Sequence, residues 1–262
     1  MTGTAVTPPT AQTSAPPPIG LRVTWGIAFG SLILAFPVYS IAALGLGMDR
    51  KAVADVLALH VCLAYWIGIF AALLPLPVLR TWTWFQRLQA VALPFVIVSY
   101  ATHLSWELIW LITHNAIAHS RNSLWAYPWW AYIDGGDLRY LHPAPSFVMV
   151  EVLSVINASV GLTGLILLKR SKFADYRGTL LVMSTAVTHT VMTWYYYGSE
   201  ILGGLPSVNT GNVIDLWVKF VFLNAPWLVG PWFVIAWGYQ LLKRQFAAKL
   251  TSPASPTTRQ HD

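Results

Sequence analysis

Hydrophobic positions in this chain collect into long runs separated by short polar stretches. Several runs approach the roughly 20 residues that cross a bilayer as helix. The pattern predicts six helices, over 20–47, 54–79, 88–113, 146–168, 178–200 and 214–242. Residues 114–145 read as a long polar-aromatic loop, whose Trp and Tyr side chains suit a membrane interface. No internal repeat and no Gly-rich phosphate loop is visible. The expected fold class is all-α, a polytopic membrane helix bundle of about six transmembrane helices.

Composition strengthens that picture. Of 262 residues, 56% are hydrophobic and 10% charged, where a soluble domain carries about 25% charged residues. The mean hydropathy is +0.55. Residues 1–19 are rich in Thr, Pro and Ala, with no positive charge and no long apolar block. They predict a disordered tail rather than a signal peptide. Residues 243–262 read as a second tail, basic and disordered. The single cysteine, Cys62, excludes an intrachain disulfide and a cysteine-based metal site, and no metal is expected.

The net charge of +6 does not point to nucleic acid, because the basic residues lie beside apolar segments. With the N-terminus inside, the cytoplasmic set is Arg22, Arg80, Arg87, Lys169, Arg170, Lys172, Arg177, Lys243, Arg244, Lys249 and Arg259. The opposite set is Arg50, Lys51, Arg121 and Arg139, with Lys219 at the start of the last helix. Eleven against four predicts both termini in the cytoplasm and the 114–145 loop on the other side.

The chain has three glutamates, Glu107, Glu151 and Glu200, all in or at the edge of a predicted span. A charged side chain at mid-bilayer costs about 2.5–3.5 kcal/mol on insertion scales, so such residues face a bundle interior or a cavity. In "THLSWELIW", His103 and Glu107 are four apart and share a helix face. In "MVEVLSVINAS", Glu151 and Ser154 are three apart, and in "FVFLNAPWLVGPW" so are Asn224 and Trp227. Antiparallel packing would converge these pairs on one apolar-walled cavity. Two carboxyls held close together cannot both stay ionised, so one acts as acid and the other as base. Imidazole relays or tunes the proton, and an indole face stabilises a cation. The set suits adding a proton to an apolar substrate, holding the carbocation and removing a different proton, without a cofactor.

Structural readings compete. The His103/Glu107 pair would serve as an interhelical hydrogen bond, and Asn224 and Trp227 as packing. Glu200 sits at a helix end and is expected to be exposed at the interface. His60 opens its helix and is expected to be interfacial; His189 is a candidate core donor. A haem pair drawn from His103, His189 and His60 leaves the glutamates without a role.

The motifs resemble the emopamil-binding protein family of the EXPERA-domain superfamily, over residues 54–242. The residues that carry the resemblance are "HLSWE", "YIDGGDLRYL", "VMVEVLSV", "YYYGSE" and "FVFLNAPWLVGPW", in family order. The resemblance implies a five-helix core over 54–242 around a cavity open to the bilayer, with 20–53 as an added N-terminal helix and loop. It implies a sterol Δ8,Δ7-isomerase in which His103, Glu107 and Glu151 handle protons and Trp227 stabilises the carbocation. Asn224 and Ser154 would position carboxylates or substrate, and Trp106 and Tyr196 are further candidate substrate contacts. Lipophilic amines would act as inhibitors that mimic the cation. Three features depart from the pattern: Ser154 stands for Thr, Pro226 separates Asn224 from Trp227, and "HTVMTWYYYGSE" lacks an expected acidic residue.

Alternatives stay open: a membrane-bound terpenoid cyclase using the same carboxylates, or a non-catalytic sterol- or amine-binding protein. A proton-coupled transporter would show repeats or paired broken helices. The expected membrane is the endoplasmic reticulum in a eukaryote and the inner membrane in a bacterium, and a homodimer is compatible with either.

Overall fold

The computed structural model describes residues 16–251, and every regular element among them is helical. Residues 1–15 and 252–262 lie outside the described residues, and with them most of the expected tails and Arg259. The α-helices are α1 Ile19–Ser40, α2 Arg50–Phe70, α3 Trp84–Thr102, α4 Leu108–Ala118, α5 Tyr127–Asp134, α6 Pro145–Arg170, α7 Tyr176–Leu202 and α8 Pro226–Thr251. Three π-helical segments, Ile41–Gly45, His103–Glu107 and Ile214–Phe222, extend α1, join α3 to α4 and precede α8.

Among the described residues, five stretches are long and apolar enough to cross a membrane: Ile19–Gly45, Arg50–Leu73, Trp84–Ala118, Pro145–Arg170 and Ile214–Leu250. The remaining expected span corresponds to the 27-residue α7. Its Ser, Thr, His and Tyr content makes it less apolar, and it packs against both α6 and α8. In lipid every backbone polar group must be bonded within the protein, which leaves helix as the spanning form of such runs. Hydroxyls inside the helices bond back to carbonyls one turn earlier, as Ser105 does to Ala101, Thr163 to Ser159 and Thr190 to Ala186.

Several boundaries moved for identifiable reasons. Helix α2 starts at Arg50, not 54, because the Asp49 side chain accepts from Ala52 N and caps it. His60 is therefore mid-helix rather than at a helix start, where Tyr39 of α1 reaches its Nδ1 at 3.3 Å. The expected run to 79 stops at Leu73, ahead of Pro75 and Pro77. Thr83 and Gln86 form a reciprocal capping box that starts α3. Residues 243–251, expected as tail, continue α8, with Lys243 over Tyr239, Arg244 over Phe85 and Lys249 over Tyr176.

The helices meet through small residues, as is usual where lipid removes the hydrophobic drive between helices. A Cβ on Gly161 of α6 would overlap the Tyr100 ring of α3. Tyr100 Oη in turn bonds Thr185 Oγ1 of α7 at 2.5 Å. Gly161→Ala is therefore expected to lower the thermal midpoint, by an overpacking cost of about 1–3 kcal/mol. Gly198 of α7 has open space around its Cβ position, so Gly198→Ala is the control and should leave the midpoint unchanged or raised.

The two ends of the bundle differ in charge. At one end Arg50 and Arg121 pair with Asp134, Arg139 with Asp137, and Lys51 and Lys219 with Asp55 and Asp215. At the other end lie Arg80, Arg87, Lys169, Arg170, Lys172, Arg177, Lys243, Arg244 and Lys249. There Arg177 pairs with Asp175, which it holds below the usual carboxylate range, and Arg87 donates to the carbonyls of Ala72, Leu74 and Leu79.

Candidate functional site

The HLSWE stretch forms a π-helical turn between α3 and α4, with Leu108 N bonded to His103 O. A π-turn is rare and recurs at functional sites. Residues four apart stay on one face of such a turn, and His103 Nδ1 lies 3.0 Å from Glu107 Oε1. The expected shared face exists, on a π-turn instead of an α-helix. Both side chains are buried, at 5% and 8% exposure.

They line a cavity of about 180 Å³ inside the bundle. All eight expected site residues line it: His103, Trp106 and Glu107 on the π-turn, Glu151 and Ser154 on α6, Tyr196 on α7, and Asn224 and Trp227 at the start of α8. Glu151 is 6% exposed, and no described residue hydrogen-bonds its carboxyl. Its electrostatic neighbours are Glu107, Arg139 and Asp137. Two carboxyls and an imidazole thus share one buried chamber.

Not every expected residue does the expected work. Ser154 donates its hydroxyl to Val150 O at 3.0 Å, its own preceding turn. Asn224 Nδ2 donates to Lys219 O at 3.0 Å, Phe220 O at 2.9 Å and Tyr196 Oη at 3.3 Å. It ties off the π-segment Ile214–Phe222, whose carbonyls the turn into α8 leaves open. Pro226 does not kink a continuous helix; it is the first residue of α8, where its missing N–H costs nothing. Trp227 follows it directly and is aimed inward, its ring centroid 6.2 Å from that of His103 and 5.2 Å from that of Tyr65.

Glu200 corrects an expectation. It is 7% exposed, not at the interface. The segment after α7 folds back over it, so that Ser207 N donates to Glu200 Oε2 at 3.3 Å and Arg139 Nη1 stands 3.8 Å from Oε1. Arg139 is the hub of this region. It holds Asp137 through two hydrogen bonds, donates to Tyr196 Oη and lies 4.1 Å from the Tyr196 ring centroid. Burial works against its charge, but Tyr196, Asp137 and Glu200 outweigh that and hold the guanidinium more firmly protonated than usual.

Residues beyond the expected set complete the chamber. Residues 114–145, expected as a loop, contain the end of α4 and all of α5; from α5 comes Tyr132, and from the turn after it Asp137 and Tyr140. Trp106 Nε1 donates to Tyr140 Oη at 3.2 Å, and Trp110 Nε1 to Tyr140 O at 3.2 Å. Burial pushes the Tyr132 and Tyr140 phenols well above their usual range, and for Tyr140 the Glu151 and Glu107 carboxyls add to it. Both remain donors at neutral pH. The loop is thus part of the wall, which its GDLRY run signalled and its interfacial aromatics disguised. From α7 comes His189, whose Nε2 lies 3.0 Å from His103 Nε2. The two imidazoles hydrogen-bond to each other instead of flanking a macrocycle. His189 stood in the sequence as a lone mid-span histidine, a signal equal to that of His103.

The added helix α1 also reaches the chamber. Phe36 lines it and packs on Trp106 with ring centroids 5.3 Å apart. Ser105, exposed on the outer face of the π-turn, lines it too, so the chamber reaches the bundle surface there. No family model matches the chain, and no solved structure matches it.

Proposed function

We propose that this protein is a membrane-embedded isomerase that moves a carbon–carbon double bond in a sterol or sterol-like lipid. The observation that carries the reading is the convergence of Glu107, Glu151, His103 and Trp227 on one enclosed, largely apolar chamber. One carboxyl delivers a proton to an alkene carbon, and the resulting tertiary cation lies against the Trp227 face. A second carboxyl then takes a proton from the carbon next to the cation, which closes the shifted double bond. No net charge is created, as a buried site requires.

The chamber of about 180 Å³ is smaller than the roughly 300–1,000 Å³ of drug-sized ligand sites. It receives the reacting rings while the rest of the lipid remains at the opening beside Ser105 and Phe36. A lipophilic ammonium would occupy the position of the cation and compete with substrate.

In the membrane α7 is the sixth span, shielded by α6 and α8. The end richer in cations faces the cytoplasm, which would put both termini there, and the aspartate-neutralised end faces away. The resemblance to the emopamil-binding family supports the sterol over other terpenoids. The cyclase reading uses the same carboxylates, and it would appear as cyclised product from a polyprenyl substrate.

The test is conversion by the purified, lipid-reconstituted protein of a Δ8 sterol in D2O. The expected product is the Δ7 isomer carrying one deuterium at the newly protonated carbon. Absence of any Δ7 product from well-folded protein would reject the isomerase.

A further inference from the structure

Helix α1 is lightly held, yet it supplies part of the chamber wall. It packs chiefly on α2, with Leu21, Ala28 and Ala35 buried seven residues apart along one face. At Gly68 of α2 the missing Cβ leaves room for Ala28 and the Phe29 ring. Ile27, Ile33, Leu34 and Val38 are each more than half exposed and form the outer face. Among the described residues, the one side-chain hydrogen bond between α1 and another element joins Tyr39 Oη and His60 Nδ1, at 3.3 Å. The helix is also interrupted. Pro37 cannot donate to the Ile33 carbonyl, and from Ile41 the winding widens into the π-segment. Phe36 stands next to that break.

On the α1 side of the chamber Phe36 meets Trp106, next to the exposed Ser105. The two rings are held differently. Trp106 Nε1 donates to Tyr140 Oη at 3.2 Å, and its ring lies against Trp129 and Tyr132 with centroids 5.1 Å away in each case. Phe36 is half-buried, has no polar group to anchor it, and meets Trp106 at 5.3 Å between centroids. A flat hydrocarbon between two rings needs two van der Waals separations, about 7–8 Å in all. The Phe36–Trp106 contact leaves no such gap. A lipid that passes here has to displace one ring, and Phe36 is the one free to yield.

We infer that Phe36 is a specificity-determining residue, whose ring sets the thickness of the lipid body that passes from the bilayer into the chamber. A flat or unbranched body enters with a small displacement of the ring. A thick, cage-like one meets Phe36 on one side and the fixed Trp106 on the other. Residue 36 therefore governs which lipid binds and not the proton transfers, which belong to groups deeper in the chamber. The determinant comes from α1, outside residues 54–242, so the added helix brings selectivity to a site that the rest of the bundle builds. Its consequence for substrate choice rests on the isomerase reading, whereas the passage itself is read from binding alone.

The experiment uses the full chain in lipid nanodiscs and two tertiary amines with the same dimethylamino head. One carries a straight dodecyl tail, the other an adamantyl cage on a butyl linker. Equilibrium dialysis against empty nanodiscs gives each Kd, and the quantity read is the cage-to-straight ratio. Phe36→Ala should lower that ratio about tenfold, the discrimination that apolar pockets reach for a small change in volume. Phe36→Trp should raise it, and Phe36→Leu should fall between Phe36→Ala and the wild type. Ile33→Ala, one turn away at a position 76% exposed, should leave it unchanged. Binding of the straight amine, nearly alike in all of them, reports that each variant is folded. A ratio that moves in neither Phe36→Ala nor Phe36→Trp overturns the inference, and so does an equal shift in Ile33→Ala. If the wild type takes up neither amine beyond empty nanodiscs, the passage is closed to lipid and the inference fails as well. Shifted ratios in a protein that converts no Δ8 sterol count against the isomerase alone. Conversion with unshifted ratios counts against Phe36 alone.

Discussion

If the protein is the proposed isomerase, Glu151→Gln and Glu107→Gln are each expected to lower turnover by at least about 10²- to 10⁴-fold, the range that a positioned acid or base supplies, with both proteins still folded. Glutamine preserves the volume of each carboxyl, so the chamber of about 180 Å³ is not opened or overfilled. What it removes is the proton that one carboxyl gives or the charge with which the other receives one. Each substitution also relieves a cost, because Glu107 and Glu151 lie in each other's field behind a buried wall. The thermal midpoint of either variant should therefore equal or exceed that of the wild type. Activity and stability are expected to move in opposite directions, which a structural role for these glutamates does not allow. Measured on nanodisc-reconstituted protein, an inactive variant with a collapsed midpoint would point to packing, and an active one would remove the residue from the acid–base pair. Binding of a lipophilic ammonium should weaken in whichever variant has lost the carboxylate that faces the cation.

The parts of this chamber that were legible in the sequence share a property: they are polar groups in apolar surroundings. His103, Glu107 and Glu151 stand out for that reason alone. Asn224 and Trp227 stand out only beside them, and the structure gives Asn224 the job of closing a π-segment. That π-winding was not legible. A spacing of four residues is compatible with α- and π-turns alike, so the sequence does not select between them. Ser99 was invisible because a serine in a helix usually bonds its own preceding turn, as Ser154 does; this one faces two imidazoles instead. Glu200 misled for the opposite reason. A carboxylate at a helix end followed by "ILGGLPS" looks exposed until the returning chain and Arg139 are in place, and both are long-range facts. Helix identity was easy because lipid permits little else, whereas helix ends depended on Asp49, on the Thr83–Gln86 box and on the prolines after α2.

Lys219→Met is expected to be the most destabilising single substitution outside the chamber, by about 3–5 kcal/mol, with a fall of roughly 6–20 °C in the thermal midpoint. Lys219 is a cation placed where a membrane span begins, and its three ammonium protons are all accounted for. Nζ lies 2.5 Å from Asp55 Oδ1 on α2, 2.6 Å from Asp215 Oδ1 one turn earlier, and 3.0 Å from Gly135 O in the loop after α5. Three separate parts of the chain meet on one nitrogen. Lys51 contacts the same two carboxylates at 2.6 and 2.8 Å, and Asn209 donates to Asp215 Oδ2 at 3.0 Å. Removing Lys219 leaves two aspartates competing for Lys51, which is partly solvated and holds them less strongly. Asp215, whose side chain is 2% exposed, then carries much of the cost as an under-neutralised buried charge. Adding Asp215→Asn to Lys219→Met removes that charge and leaves the Lys51–Asp55 pair intact. The double variant should recover most of the lost stability, so the two changes are strongly non-additive. The measurement is thermal unfolding of wild type, both single variants and the double variant in the same lipid. Additive losses, or a Lys219→Met midpoint equal to wild type, would show that the loop, α2 and the π-segment are held by apolar packing and not by this ion cluster.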